Sequence, residues 1–181
     1  MKTVDSYDFE GKRALVRVDF NVPLNDALEI TDDSRITAAL PTIKKILSDG
    51  GSVVLMSHLG RPKNGPENKY SLKHLISHLE KLTGAYIEFS NDCISSNAIQ
   101  KSKNLAPNTI HLLENLRFHY QETEGDKSFA KKLAQHGDVY VNDAFGSAHR
   151  AHASTAIVAQ YFDDKCFGYL MAKEVANAKK L

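Results

Sequence analysis

The segment at residues 13–23, RALVRVDFNVP, is an apolar run that breaks within three residues into short polar side chains. Ala14, Leu15, Val16 and Val18 read as a strand, and Pro23 bars a central strand from continuing past Asp19, Phe20 and Asn21. The profile recurs. Residues 53–56 (VVLM) break into Ser57-His58-Leu59-Gly60-Arg61-Pro62, residues 110–113 (IHLL) into Glu114-Asn115-Leu116-Arg117, and residues 139–141 (VYV) into Asn142-Asp143 and on to His149-Arg150. Such runs are the profile of buried parallel strands, and in open α/β sheets ligands bind beyond the carboxyl ends of the strands.

Helical spacing fills the intervals. Thr31, Asp32 or Asp33 can cap a helix through Ile36, Leu40, Ile43, Ile46 and Leu47 that Gly50-Gly51 closes; Pro41 either kinks it or opens a second segment. Ser71 caps a helix with Leu72, Leu75, Ile76, Leu79 and Leu82 on one face and Gly84 past its end, and Asp126 caps another carrying Phe129, Ala130, Leu133 and Ala134. A weaker helix is expected over 92–102, a strand over 85–89, a small-residue helix over 154–161, a sixth strand over 166–170 and a helix from 171 to the end. Strand starts lie roughly 25 to 40 residues apart, the length of βαβ units. The expectation is one α/β domain: a three-layer α/β/α, Rossmann-like, doubly wound fold with a mostly parallel sheet of about six strands.

Charge enters the argument through its distribution. The formal net charge is only +1, so no global basic field attracts nucleic acid or an anionic membrane. Of 23 basic residues six are Arg, and Arg35, Arg61, Arg117 and Arg150 sit beside the strand ends or at a helix start. Arg offers a planar fork to phosphate and carboxylate. In a parallel sheet, Asp19, Asn21, Arg35, His58, Arg61, Arg117, His149 and Arg150 reach one edge. Four guanidiniums and two imidazoles in an empty cleft repel one another, so the inferred ligand is a compact polyanion. Asp19 and Asn21 suit a ligand hydroxyl, or they hold an Arg in orientation.

Other features point elsewhere or nowhere. His149 and His152 at i, i+3 lack a third metal ligand nearby, and His74 and His78 lack the Glu of a zinc helix. Glu114 and Asp143 read equally as acid–base carboxylates or as groups that orient a neighbouring Arg or cap loops. Neither GxxxxGK[ST] nor GxGxxG follows a strand, so no nucleotide cradle is recognisable. Cys93 and Cys166 form no CxxC pair and read as free thiols; with no signal core and no apolar run near the roughly 20 residues of a membrane span, a cytoplasmic location is expected.

The motifs RVDFNVP, DDSRI, SHLGRP, LLENLRF and VNDAFGSAHRAHAS, in this order, resemble the N-terminal domain of the phosphoglycerate kinases. The resemblance implies a kinase of two Rossmann-like halves, transferring a phosphoryl group between 1,3-bisphosphoglycerate and ADP in glycolysis. The first half binds 3-phosphoglycerate through Asp19, Asn21, Arg35, His58, Gly60, Arg61, Arg117, His149 and Arg150, and Arg35 faces the phosphoryl group in flight as the catalytic residue. It also implies that residues 1–170 are the substrate domain and 171–181 the start of an interdomain helix. The C-terminal nucleotide domain, with its MgATP or MgADP, is then absent from this chain, which holds neither cofactor nor metal site. A full-length monomer is expected. The fragment is expected to bind substrate without turnover, and to expose an apolar patch where the missing parts dock. A stand-alone anion-binding or regulatory module is the alternative, and a transferase using Asp143 as its own base is another.

Overall fold

The computed structural model describes residues 2–144 and 150–180. Seven strands, β1 (Lys2–Thr3), β2 (Arg13–Arg17), β3 (Ser52–Met56), β4 (Ile87–Ser90), β5 (Ile110–Leu113), β6 (Val139–Asn142) and β7 (Lys165–Phe167), form one sheet in the order β1-β7-β6-β2-β3-β5-β4. Every pairing is parallel. The chain steps from β2 to β3 on one side, and later places β6 on the other side of β2. The direction of winding therefore reverses around β2, and a crevice opens at such a switch point beyond the strand ends.

Six helices cover the sheet: α1 (Ser34–Ser48), α2 (Ile76–Thr83), α3 (Ser96–Lys103), α4 (Gln121–Glu124), α5 (Lys127–Ala134) and α6 (Tyr169–Ala178). The period-2 alternation of each strand sorts its side chains between two cores. Ala14, Val16, Val53, Leu55, Ile110 and Leu112 pack with Ile36 and Ile43 of α1, Leu79 of α2 and Leu75 just before it. Leu15, Val54, Met56, Leu113 and Tyr140 meet Phe129, Leu133, Val158 and Phe162 on the opposite face. All residues of β3, β5 and β6 are buried, which is why their sequences are mainly apolar, with Ser52, His111 and Asn142 as buried polar exceptions.

Several elements differ from their sequence expectation. The sheet has seven strands rather than about six, because two residues at the N-terminus pair with β7 and are too short to show any period. The third expected strand is shifted to Ile87–Ser90, and the sixth is confined to Lys165–Phe167. The closing helix begins at Tyr169 instead of 171: Gly168 lies so close to Asp143 that a Cβ there would stand 2.2 Å from the carboxyl carbon, and Asp143 Oδ1 accepts from Met171 N at 3.1 Å. Ser71 does cap its segment, but as a 3₁₀ turn over Leu72–Leu75 that passes into α2. The small-residue helix is a π turn (Ala153–Ile157) followed by a 3₁₀ turn (Val158–Tyr161). Pro41 lies inside the continuous α1. Among the described residues the large exposed hydrophobics are Tyr86, Tyr120 and Tyr161, each from a different segment, so the expected apolar docking patch is not seen. Among the described residues no helix is long and apolar enough to cross a membrane.

Candidate anion site at the strand ends

The loops that follow β2, β3 and β5 are tied to one another by hydrogen bonds. Phe20 N donates to Ser57 Oγ at 2.9 Å, Leu116 N to Ser57 O at 3.0 Å, and Gly60 N to Asn21 Oδ1 at 2.8 Å. Asn115, almost fully buried, donates its amide to Leu59 O at 2.7 Å and Tyr70 O at 2.9 Å, while its oxygen accepts from Arg117 N at 3.0 Å. Gly60 has φ +62°, and a Cβ there would sit 2.4 Å from the Tyr70 ring, so only glycine lets the chain turn here. Its N–H is taken by Asn21, so its contribution is to shape the loop.

On this frame Arg35, second residue of α1, reaches back to the end of β2. Its guanidinium meets Asp19 Oδ1 at 3.2 Å and donates to Asn21 O at 2.9 Å, with half of the side chain exposed. Of the two readings of Asp19, orientation of an arginine is therefore realised. The cation at a helix N-terminus, disfavoured by the dipole, is offset by this ion pair. Arg61 and Arg117 line a cavity of about 470 Å³ together with Lys63 and His119. Arg117 is held below the usual arginine range by burial, then by Arg17, with Arg150 and Arg61 acting in the same direction and only Glu122 opposing. His58 is lowered to about 2 by burial and then by Arg17, Arg117, His152 and Arg35. Arginines from the helix start and from the ends of β2, β3, β5 and β6 thus share one rim. His149 lies outside the described residues.

Two further side chains belong to this rim without standing out in the sequence. Arg17 is wholly buried at the last position of β2, and burial lowers its pKa. It donates to Ser154 Oγ at 2.8 Å, to Val18 O, and to His58 Nδ1 at 3.1 Å. The available signal is an Arg inside an apolar run: a strand covered on both faces has no surface on which to leave it. His152, also buried, precedes the π turn; burial lowers its pKa first, Glu122 opposes, and Arg117, Arg17 and Arg150 lower it further. Among the described residues its Nδ1 and the Nε of Arg117 are buried without a hydrogen-bond partner. Unused buried polar atoms cost roughly 1–3 kcal/mol each, so two of them at a basic rim call for an explanation.

The two carboxylates left open by the sequence are caps. Glu114 accepts from Ser71 Oγ at 2.6 Å, Leu72 N at 2.8 Å and Asn115 N at 2.9 Å. Asp143 serves the first turn of α6 and is raised by burial; its Oδ2 has no partner. His78 pairs with Asp33 at 2.8 Å and His74 with Asn68 O at 2.7 Å, both structural. Among the described residues the one group offering three metal-ligand atoms is Asp92, Cys93 and His119, remote in chemistry from a site for Mg²⁺, which takes oxygen ligands.

A doubly wound parallel sheet with arginines lining a cavity beyond its strand ends defines the class: a Rossmann-like α/β domain. The family model described as phosphoglycerate kinase matches residues 4–181, and the chain belongs to that family. It is 48% identical over 205 positions to the phosphoglycerate kinase of Porphyromonas gingivalis, covering 99% of this chain and 49% of the relative. With that of Borrelia hermsii it shares 53% identity, covering 96% of this chain and 44% of the relative. The solved structure of phosphoglycerate kinase from Coxiella burnetii superposes with a TM-score of 0.85 at 37% identity, over 96% of this chain and 43% of that one. For Pyrococcus horikoshii the values are 0.86 and 32%, over 97% and 44%. The chain spans about half the length of the relatives it matches.

Proposed function

We propose that this chain is the substrate-binding half of a phosphoglycerate kinase, holding 3-phosphoglycerate or 1,3-bisphosphoglycerate in the crevice beyond β2, β3, β5 and β6. The observation that carries the reading is the gathering of Arg17, Arg35, Arg61, Arg117 and Arg150 at one rim, with the buried nitrogens Arg117 Nε and His152 Nδ1 unpartnered among the described residues. Arg61, Arg117 and Arg150, with His149 by resemblance, take the phosphate, and the carboxylate shares the same cations. Asn21 keeps its amide N–H groups for the ligand, since its oxygen is occupied by Gly60. Asp19 uses Oδ1 for Arg35 and Asn21 N, which leaves Oδ2 for the 2-hydroxyl.

Phosphoryl transfer asks a protein mainly for positioning and charge stabilisation. Arg35 is suited to stabilising the charge. Half of its side chain is exposed while the ion pair with Asp19 fixes its direction, so its free N–H groups can meet a phosphoryl group arriving from outside this domain. The residues described here do not fit MgATP or MgADP: the three-ligand group contains a buried thiol and a hydrogen-bonded His–Asp pair, and no glycine-rich loop follows a strand. We assign the nucleotide and Mg²⁺ to the additional length that the relatives carry, and a cytoplasmic, glycolytic role to the whole enzyme. This chain alone then binds substrate and gives no turnover in a coupled assay. Titration calorimetry tests the assignment. 3-Phosphoglycerate should bind at least tenfold more tightly than inorganic phosphate, and equal affinities would reduce the site to a general anion module.

A further inference from the structure

Glu122, on the one-turn helix α4, is a fully buried carboxylate with no arginine in direct contact. It accepts from Ser154 N at 2.9 Å and from Ser154 Oγ, so the serine hydroxyl spends its proton on the carboxylate. The same hydroxyl oxygen accepts from Arg17 Nε at 2.8 Å. Ser154 therefore stands between a buried anion and a buried cation, and one hydroxyl serves both. Ser154 lies in the first turn of the π segment Ala153–Ile157, where its N–H has no partner within the turn and is free to donate to Glu122.

The far end of the guanidinium completes the chain. Arg17 carries only donors, and it meets His58 Nδ1 at 3.1 Å. That nitrogen must accept, so it holds no proton, and the proton of a neutral ring lies on Nε2. Among the described residues Nε2 has no hydrogen-bond partner. The groups that act on the ring are Arg17 from β2, Arg117 from the turn after β5, His152 before the π turn and Arg35 from α1, all of them basic. A second positive charge on His58 would oppose every one of them. The ring consequently enters the basic rim as an oriented N–H dipole and not as a cation, and Nε2 is its only donor.

We propose that Glu122 and Ser154 are positioning residues that act through Arg17 to fix His58 as the Nε2–H tautomer, an N–H donor for the anion at the sheet edge. The proposal rests on the substrate-site reading above only for the identity of that anion. Its test is read first in the ligand-free chain, so the two fail separately. Long-range ¹H–¹⁵N spectra, with His58 assigned by loss of its signals in His58→Gln, report tautomer and charge directly. The wild-type ring should be the neutral Nε2–H form from pH 8 down to pH 5. Ser154→Ala should convert it to a mixture of tautomers and weaken 3-phosphoglycerate binding at least fivefold, with the circular dichroism spectrum unchanged. Should Ser154→Ala fail to fold, Glu122→Gln, which keeps the hydrogen-bond shape and removes the charge, is read in its place and should also shift the ring's tautomer. A wild-type ring that is Nδ1–H or charged at pH 7 overturns the proposal, as does a folded variant whose His58 spectrum is unchanged. The expected tautomer in a chain that ignores 3-phosphoglycerate would instead overturn the ligand assignment alone.

Discussion

Two buried polar networks lie on the same face of the sheet, and they differ in whether their hydrogen-bonding atoms are used up. The first joins Ser90, His111, Ser102 and His136. Ser90 Oγ meets His111 Nε2 at 2.7 Å, Ser102 Oγ meets His111 Nδ1 at 2.8 Å and His136 Nδ1 at 2.6 Å, and His136 Nε2 meets Cys93 O at 2.7 Å. The carbonyl at one end can only accept, so it dictates every proton: Ser90 donates to His111, His111 to Ser102, Ser102 to His136, and His136 to Cys93 O. All four imidazole nitrogens are partnered. The second network, at the strand ends, leaves His152 Nδ1 and Arg117 Nε buried and unused. A closed network holds the fold; an open one at a basic rim holds room for a ligand. Titratable side chains are present in both, so perturbed pKa values alone do not separate structure from function.

The comparison breaks most visibly in acid. Burial lowers both His111 and His136 to about 4, from an ordinary value of 6.5. Because the folded values lie below the unfolded one, the neutral rings' contribution is complete above pH 6.5 and is lost as pH falls through 6.5 towards 4. The loss is about 3 kcal/mol for each ring. Urea unfolding between pH 7.5 and 4 should show this fall, and Ser102→Ala or His111→Leu should change its size; a flat profile would mean that the rings are not buried neutral.

A smaller effect is expected from Ser102→Ala at neutral pH. It strips hydrogen bonds from two buried imidazoles and should cost about 1–3 kcal/mol of stability while leaving anion affinity unchanged. In the open network the signs reverse. Arg117→Met should reduce 3-phosphoglycerate affinity about tenfold, the value of one charge-assisted hydrogen bond, with the melting temperature equal or higher because like charges in an empty cleft repel. If Arg117→Met lowers stability as Ser102→Ala does, the distinction between the networks fails. Gly60→Ala sharpens the picture further: the clash with Tyr70 should weaken binding severalfold through displaced Asn21, and should cost only about 1 kcal/mol of stability. Thermal melts paired with calorimetry check all three.

Much of the fold and the rim is legible in the order of residues alone. The strands β2, β3, β5 and β6 announce themselves because burial on both faces demands apolar runs, and the abrupt switch to Asp19, His58, Glu114 or Asp143 marks where each leaves the sheet. Arg35, Arg61, Arg117 and Arg150 stand out because arginine is scarce here and lysine is not. Arg17 is hidden by its neighbours: inside RALVRVDF it counts as strand, and only the packing shows a guanidinium with nowhere to go but the rim. Glu122 and Ser154 are hidden by distance, since a link across 32 residues leaves no periodic trace. The β1–β7 pairing is too short to read, and the π turn carries a helix-like sequence pattern that does not distinguish it from an α-helix.

The central claim is that one edge of the sheet is a binding site for a phosphorylated sugar acid. Backbone amide shifts on addition of 3-phosphoglycerate test it most directly. The account predicts saturable changes at Asp19, Asn21, Gly60, Arg117 and Arg150, beyond the carboxyl ends of the strands, with Gly11, Gly50 and Asp138 at the opposite ends silent. Changes centred on those opposite ends, or none at millimolar ligand, would contradict it.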